Sequence, residues 1–138
     1  MKIKNTYSAS LENLEKIFAD AEKFCEEINA DAKTTYALNL SLDEIFTNIV
    51  SYGYKGDSSK NVEIELEKSN DEIVATISDT APRFNPLIDA KSPDTDANLD
   101  DREVGGLGIF FIRKNMNKVS YKYENGKNQL SMVRKIAE

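Results

Sequence analysis

The sequence predicts a two-layer α/β (α+β) sandwich, a largely antiparallel mixed sheet with three helices on one face. Three observations carry this. Apolar residues recur at helical spacing from Leu11 to Ile28 and again from Leu38 to Tyr52. Two pairs of alternating stretches are joined by the turn signals Asn70-Asp71 and Asn125-Gly126, which reads as two hairpins. At 138 residues the chain suits one compact domain with a real core, spanning 1–138.

The elements follow in order. Residues 2–7 form a short strand. Leu11, Leu14, Ile17, Phe18, Ala21, Cys25 and Ile28 mark the first helix, with Ser8 or Ser10 as its cap. Asn29-Ala30-Asp31 breaks it, and Asp31 caps a second helix over 32–52. Leu38, Leu42, Ile45, Ile49 and Tyr52 share one face of that helix. Ala37, Ser41, Glu44 and Asn48 form an adjoining ribbon, which fits either a cleft lining or a solvated flank. Residues 52–59 read as a loop. Val62, Ile64 and Leu66 alternate with glutamates in a half-buried strand, and Ile73 to Ser78 returns beside it. Residues 80–103 hold all three prolines and many acids. So long an irregular stretch reads as a binding lid or a surface loop. The third helix begins near Gly106 and runs to Asn117. Val119, Tyr121 and Tyr123 alternate as a strand, and the last strand covers Asn128 to Lys135.

Composition excludes several function classes. The net charge is −6 with no basic stripe, so no direct nucleic-acid partner is expected. There is no His, which removes Ser/His and Cys/His catalysis and His metal ligands. Cys25 is alone, so a disulfide framework and a Cys-based zinc site are excluded; its helical position assigns it to the core. No apolar run approaches the ~20 residues of a membrane span. Met1-Lys2-Ile3-Lys4 lacks the apolar stretch of a signal peptide, and a cytoplasmic protein is the expectation.

Three groups of residues carry chemistry. Glu44 and Asn48 lie one helical turn apart on one face. The carboxylate can accept a proton, and the amide oxygen can ligate Mg²⁺ when phosphates and waters complete the shell. Asp79 ends a strand, where it can accept a hydrogen bond from an exocyclic amine or close an Asx-turn. Gly105, Gly106 and Gly108 open a helix, where bare backbone and free N–H groups suit phosphate. A Gly-Gly turn is the plainer reading. No Walker A sequence is present, and no Gly-x-Gly-x-x-Gly follows a strand.

The run Leu42-Asp43-Glu44-Ile45-Phe46-Thr47-Asn48-Ile49-Val50 resembles the N-box of GHKL (Bergerat-fold) ATP-binding domains, in the form found in anti-sigma-factor serine/threonine kinases. Ser78-Asp79-Thr80-Ala81-Pro82-Arg83-Phe84-Asn85-Pro86 is similar to their G1 box, and Val104 to Ile112 with Asn115 to Val119 to their G2 region. Tyr121 to Leu130 resembles the C-terminal hairpin. The resemblance implies a Bergerat ATP-binding fold and an ATP- and Mg²⁺-dependent serine/threonine protein kinase. Glu44 would be the general base, Asn48 the metal ligand, and Asp79 with Ala81 the adenine end. Residues about 87–103 would be the ATP lid, with Arg102 toward the γ-phosphate. Gly105, Gly106, Leu107 and Gly108 would hold phosphates. The implied partners are a sigma factor and a STAS-domain antagonist, and the implied assembly is a homodimer. One departure stands out. The family usually has Gly at position 81, and here Ala81-Pro82 lacks both the φ freedom of Gly and a backbone donor. It raises the alternative of a non-catalytic ATP-binding or partner-binding regulatory module. Phe110, where relatives often carry a polar residue, is a lesser departure.

Overall fold

The computed structural model describes residues 1–87 and 104–136, with 104–109 described at the level of the backbone. The elements are β1 (Lys2–Ser8), a short 3-10 turn (Leu11–Asn13), α1 (Leu14–Glu27), α2 (Ala32–Asn48) and a π-helical turn (Ile49–Gly53). They continue as β2 (Asn61–Ser69), β3 (Glu72–Asp79), α3 (Val104–Asn115), β4 (Lys118–Glu124) and β5 (Lys127–Lys135).

The strands form one sheet in the order β1-β2-β3-β5-β4, and every neighbouring pair is antiparallel. The expectation of a mixed sheet is corrected here. β3 and β4 do run in the same direction and are connected through α3, but β5 inserts between them. Their parallel relation is therefore never a hydrogen-bonded one. Both hairpins turn where the sequence places them. Asn70 takes φ 57°, and Asn125 and Gly126 take 54° and 76°, the left-handed region that a type I′ turn requires at both central residues.

The register builds one apolar face. Ile3 pairs with Leu66, Ile64 with Ile77, Ala75 with Met132, and Tyr121 with Leu130. The helices cover this face. α1 buries Ile17, Ala21, Phe24 and Cys25; α2 buries Leu38, Leu42, Ile45 and Phe46. Ser10, not Ser8, caps the first helical turn, because Ser8 is still in β1. Asp31 caps α2, accepting from the Thr34 N–H at 3.2 Å. Among the described residues no helix is long and apolar enough to cross a membrane.

Two helix boundaries differ from expectation. α2 ends at Asn48, four residues short of the expected 52. The next five residues wind with wider i→i+5 bonds, Tyr54 N–H donating to Ile49 O at 2.8 Å. The wider turn rotates the face. Val50 and Tyr54 enter the core, while Tyr52, expected on the apolar stripe, is 56% exposed. α3 starts at Val104, so Gly105 and Gly106 lie within its first turn and not in a loop before it. It stops at Asn115, whose carbonyl accepts from Arg134 Nη1.

Candidate functional site

A cavity of about 560 Å³ opens where the end of α2 meets the ends of β3 and β5. Its walls are apolar, with Ile45 and Ile49 on one side and Ile77 and Leu130 on the other. Asn48, Asp79 and Asn128 bring the polar atoms inside, and Tyr52, Lys55, Arg83 and Phe84 stand at the rim.

Asp79 is the inward residue at the end of β3, following Ile73, Ala75 and Ile77 at strand spacing. It is only 8% exposed. Its Oδ1 accepts from the Ala81 N–H at 2.9 Å and from Asn128 Nδ2 at 3.0 Å. The first bond is an Asx-turn, the plainer of the two readings the sequence offered. Burial pushes the Asp79 carboxyl above the ordinary range, and these two donors oppose the shift.

Asn128 organises the segment after β3. It lies on the inner face of β5, and its Nδ2 also donates to the carbonyls of Ala81 (2.9 Å) and Pro82 (3.2 Å). Its Oδ1 accepts from the Phe84 N–H at 3.0 Å and from the Tyr121 hydroxyl. Tyr54 anchors the other side. Its hydroxyl donates to Asn61 O and accepts from the Thr80 N–H, both at 2.7 Å. Ala81 is buried and does not adopt positive φ. The conformational freedom of Gly is therefore not needed at this position.

Asn48 lines the cavity, and its Oδ1 is buried with no hydrogen-bond partner among the described residues. An orphaned inward carbonyl oxygen costs stability unless something from outside completes it. It fits a cation that takes its remaining oxygens from phosphate and water. Among the described residues no group of three or more acidic or Cys side chains gathers as a complete metal site. Glu44 lies one turn earlier, half-buried, and does not line the cavity itself. Burial and then the Asp43 charge hold its carboxyl above the ordinary glutamate range. The rest of the ribbon closes: Ala37 and Ser41 are buried and line no part of the cavity.

The other sequence candidates are placed less fully. The backbone of Gly105, Gly106, Leu107 and Gly108 lies in the first half of α3, a helix that packs on α2. Helical N–H groups of a first turn have no intrahelical acceptor. Arg102, and the lid beyond Leu87, lie outside the described residues. Sequence reasoning missed Asn128 and Tyr54. The signal for Asn128 was an amide at an inward strand position in step with Leu130 and Met132. Tyr54 carried none, because only the π-helical turn brings it inward.

Comparison with known proteins places this architecture. Residues 7–134 match the family model described as the histidine kinase-like ATPase domain. The serine/threonine-protein kinase BtrW of Bordetella bronchiseptica is 30% identical over 102 residues, covering 74% of this chain and 71% of that protein. The serine-protein kinase RsbW of Listeria monocytogenes is 27% identical over 93 residues, covering 64% of this chain and 59% of the relative. The crystal structure of the RsbU and RsbW domains of Rv1364c from Mycobacterium tuberculosis superposes with a TM-score of 0.71 at 14% identity. It covers all of this chain but only 33% of the larger one.

Proposed function

The chain belongs to the histidine kinase-like ATPase domain family, and from that premise we propose that it is an ATP-dependent serine/threonine protein kinase of the anti-sigma, partner-switching type. One observation carries this reading beyond the family. A single apolar cavity holds a buried carboxylate acceptor, Asp79, and an amide oxygen unpartnered among the described residues, Asn48, with Glu44 one helical turn away.

Each residue then has a role. The apolar walls take a purine ring, and Asp79 accepts from its exocyclic amine. Asn48 offers its orphaned oxygen to Mg²⁺, which when bound neutralises phosphate charge and orients the transferred group. Glu44 accepts the proton of an attacking serine or threonine hydroxyl; its raised pKa makes it a better base than an ordinary glutamate. Gly105 and Gly106 offer first-turn amides to phosphate, Leu107 and Gly108 follow them in the helix, and Arg102 is the cation for the γ-phosphate. The protein substrate is a STAS-domain antagonist, and a sigma factor is the second partner. The protein works as a homodimer in the cytoplasm.

The alternative of a non-catalytic module rested on Ala81-Pro82. Ala81 packs without unusual φ, and the segment's hydrogen bonds are met through Asn128, which supports the kinase reading.

The test is transfer of label from γ-labelled ATP to a purified STAS-domain antagonist in the presence of Mg²⁺. The expected result is phosphate on a serine or threonine of the antagonist, lost in Glu44→Gln. Absence of any calorimetric signal with Mg-ATP would defeat the nucleotide reading. Binding without transfer to any antagonist would favour the regulatory module.

A further inference from the structure

Each end of the Asn128 amide meets backbone groups whose hydrogen-bonding sense cannot reverse. Backbone carbonyls only accept, and those of Ala81 and Pro82 face Nδ2 at 2.9 and 3.2 Å. A backbone N–H only donates, and that of Phe84 faces Oδ1 at 3.0 Å. The amide therefore has one orientation, and its two Nδ2 hydrogens are shared among three acceptors, the two carbonyls and Asp79 Oδ1 at 3.0 Å. The Ala81 N–H points at the same oxygen. Two fixed donors thus stabilise the charged form of a carboxylate that is almost fully buried. Both of these bonds land on Oδ1, and among the described residues none lands on Oδ2, which leaves it to meet a ligand.

We propose that Asn128 is the positioning residue that sets which purine the cavity accepts: by committing its amide to Asp79 Oδ1 it holds Oδ2 as an acceptor, so that a 6-amino purine is taken and a 6-oxo purine is refused. The proposal rests on the nucleotide reading above and assigns its base selectivity. The chemistry is that of an unmatched pair. A 6-oxo purine turns a carbonyl oxygen toward Oδ2, acceptor against acceptor, and a buried unmatched pair weakens binding by roughly 10- to 100-fold. Without the Asn128 amide, the buried carboxyl keeps its proton more readily. A protonated Oδ2 donates, and it can then pair with the 6-oxo group.

The experiment is calorimetric titration of the full chain with Mg-ATP and Mg-ITP, which differ at the 6-position and in the neighbouring N1 proton. Wild type is expected to prefer ATP by at least about tenfold. In Asn128→Leu, matched in size but without donors, the preference is expected to fall below about threefold, the gap narrowing further as pH is lowered. Asn128→Ala, which also removes the donors but in less volume, serves where the Leu variant does not fold, and the same loss of preference is expected. Equal weakening of both nucleotides, with the ratio kept, would mean that Asn128 is only structural and would overturn the proposal. A wild type that binds ATP and ITP alike overturns it too, while leaving the nucleotide reading intact. A wild type that binds neither overturns both.

Discussion

A Cβ at Gly53 would lie 3.1 Å from the Cβ of Ala81, so a methyl at both positions fits only if one gives by a few tenths of an ångström. The departure at position 81 is thus matched inside the π-helical turn. The methyl that Ala81 adds occupies space that Gly53 leaves free. Gly53→Ala is expected to lower stability by about 1–2 kcal/mol through overpacking. Ala81→Gly, added to it, is expected to restore at least half of the loss. Urea denaturation of the two single variants and the double variant measures the coupling. Strict additivity would show that the contact relaxes without cost.

Tyr54 ties the start of β2 to the residue that follows β3. Tyr54→Phe leaves the Thr80 N–H and the Asn61 carbonyl without the hydroxyl that serves both. The expected loss is about 1–3 kcal/mol, with weaker nucleotide binding because Thr80 lies between Asp79 and Ala81. Chemical denaturation and ATP titration check this. An unchanged midpoint would mean that water replaces the hydroxyl.

Asn48→Ala separates function from stability. Among the described residues the Asn48 Oδ1 is buried without a partner, so its removal is expected to leave stability unchanged or raise it by about 1 kcal/mol. Mg-dependent nucleotide affinity should be lost at the same time. Parallel melting and calorimetry decide the point, and retained Mg-dependent affinity would end the metal-ligand role.

Glu44 predicts two pH dependences from one raised pKa. Below the ordinary glutamate value of 4.5, the folded and unfolded chains both hold the proton. As pH rises past that value the unfolded chain ionises first, and folding stability falls until the higher folded value is reached. Glu44→Gln is therefore expected to raise the melting temperature at neutral pH, with the difference vanishing at about pH 4 and below. Phosphotransfer should run the other way, increasing with pH through the raised value as Glu44 becomes able to take a proton. A melting difference that is the same at both pH values would contradict the burial of this carboxyl.

Much of the fold was legible from local patterns. Period-two alternation placed both hairpins, Asn125-Gly126 announced its own turn, and Asp31 announced the start of α2. Glu44, Asn48 and Asp79 were legible as candidates because their residue types and spacing suit nucleotide chemistry. The end of α2 was not legible. A π-helical turn changes the period at Ile49, and nothing in the apolar spacing of the sequence marks that change.

The sequence by itself determined the three helices, the five strands, the two hairpins and the Asp31 cap of α2. Those depend on residues within a few positions of one another. Only the tertiary structure decided which polar groups meet. Asn128 reaches Asp79 across 49 positions, and Tyr54 reaches Thr80 across 26. Neither partnership has a period or a spacing in the chain. Each exists because sheet order and register bring buried donors and acceptors together, where leaving either unpaired would cost more than holding it in place.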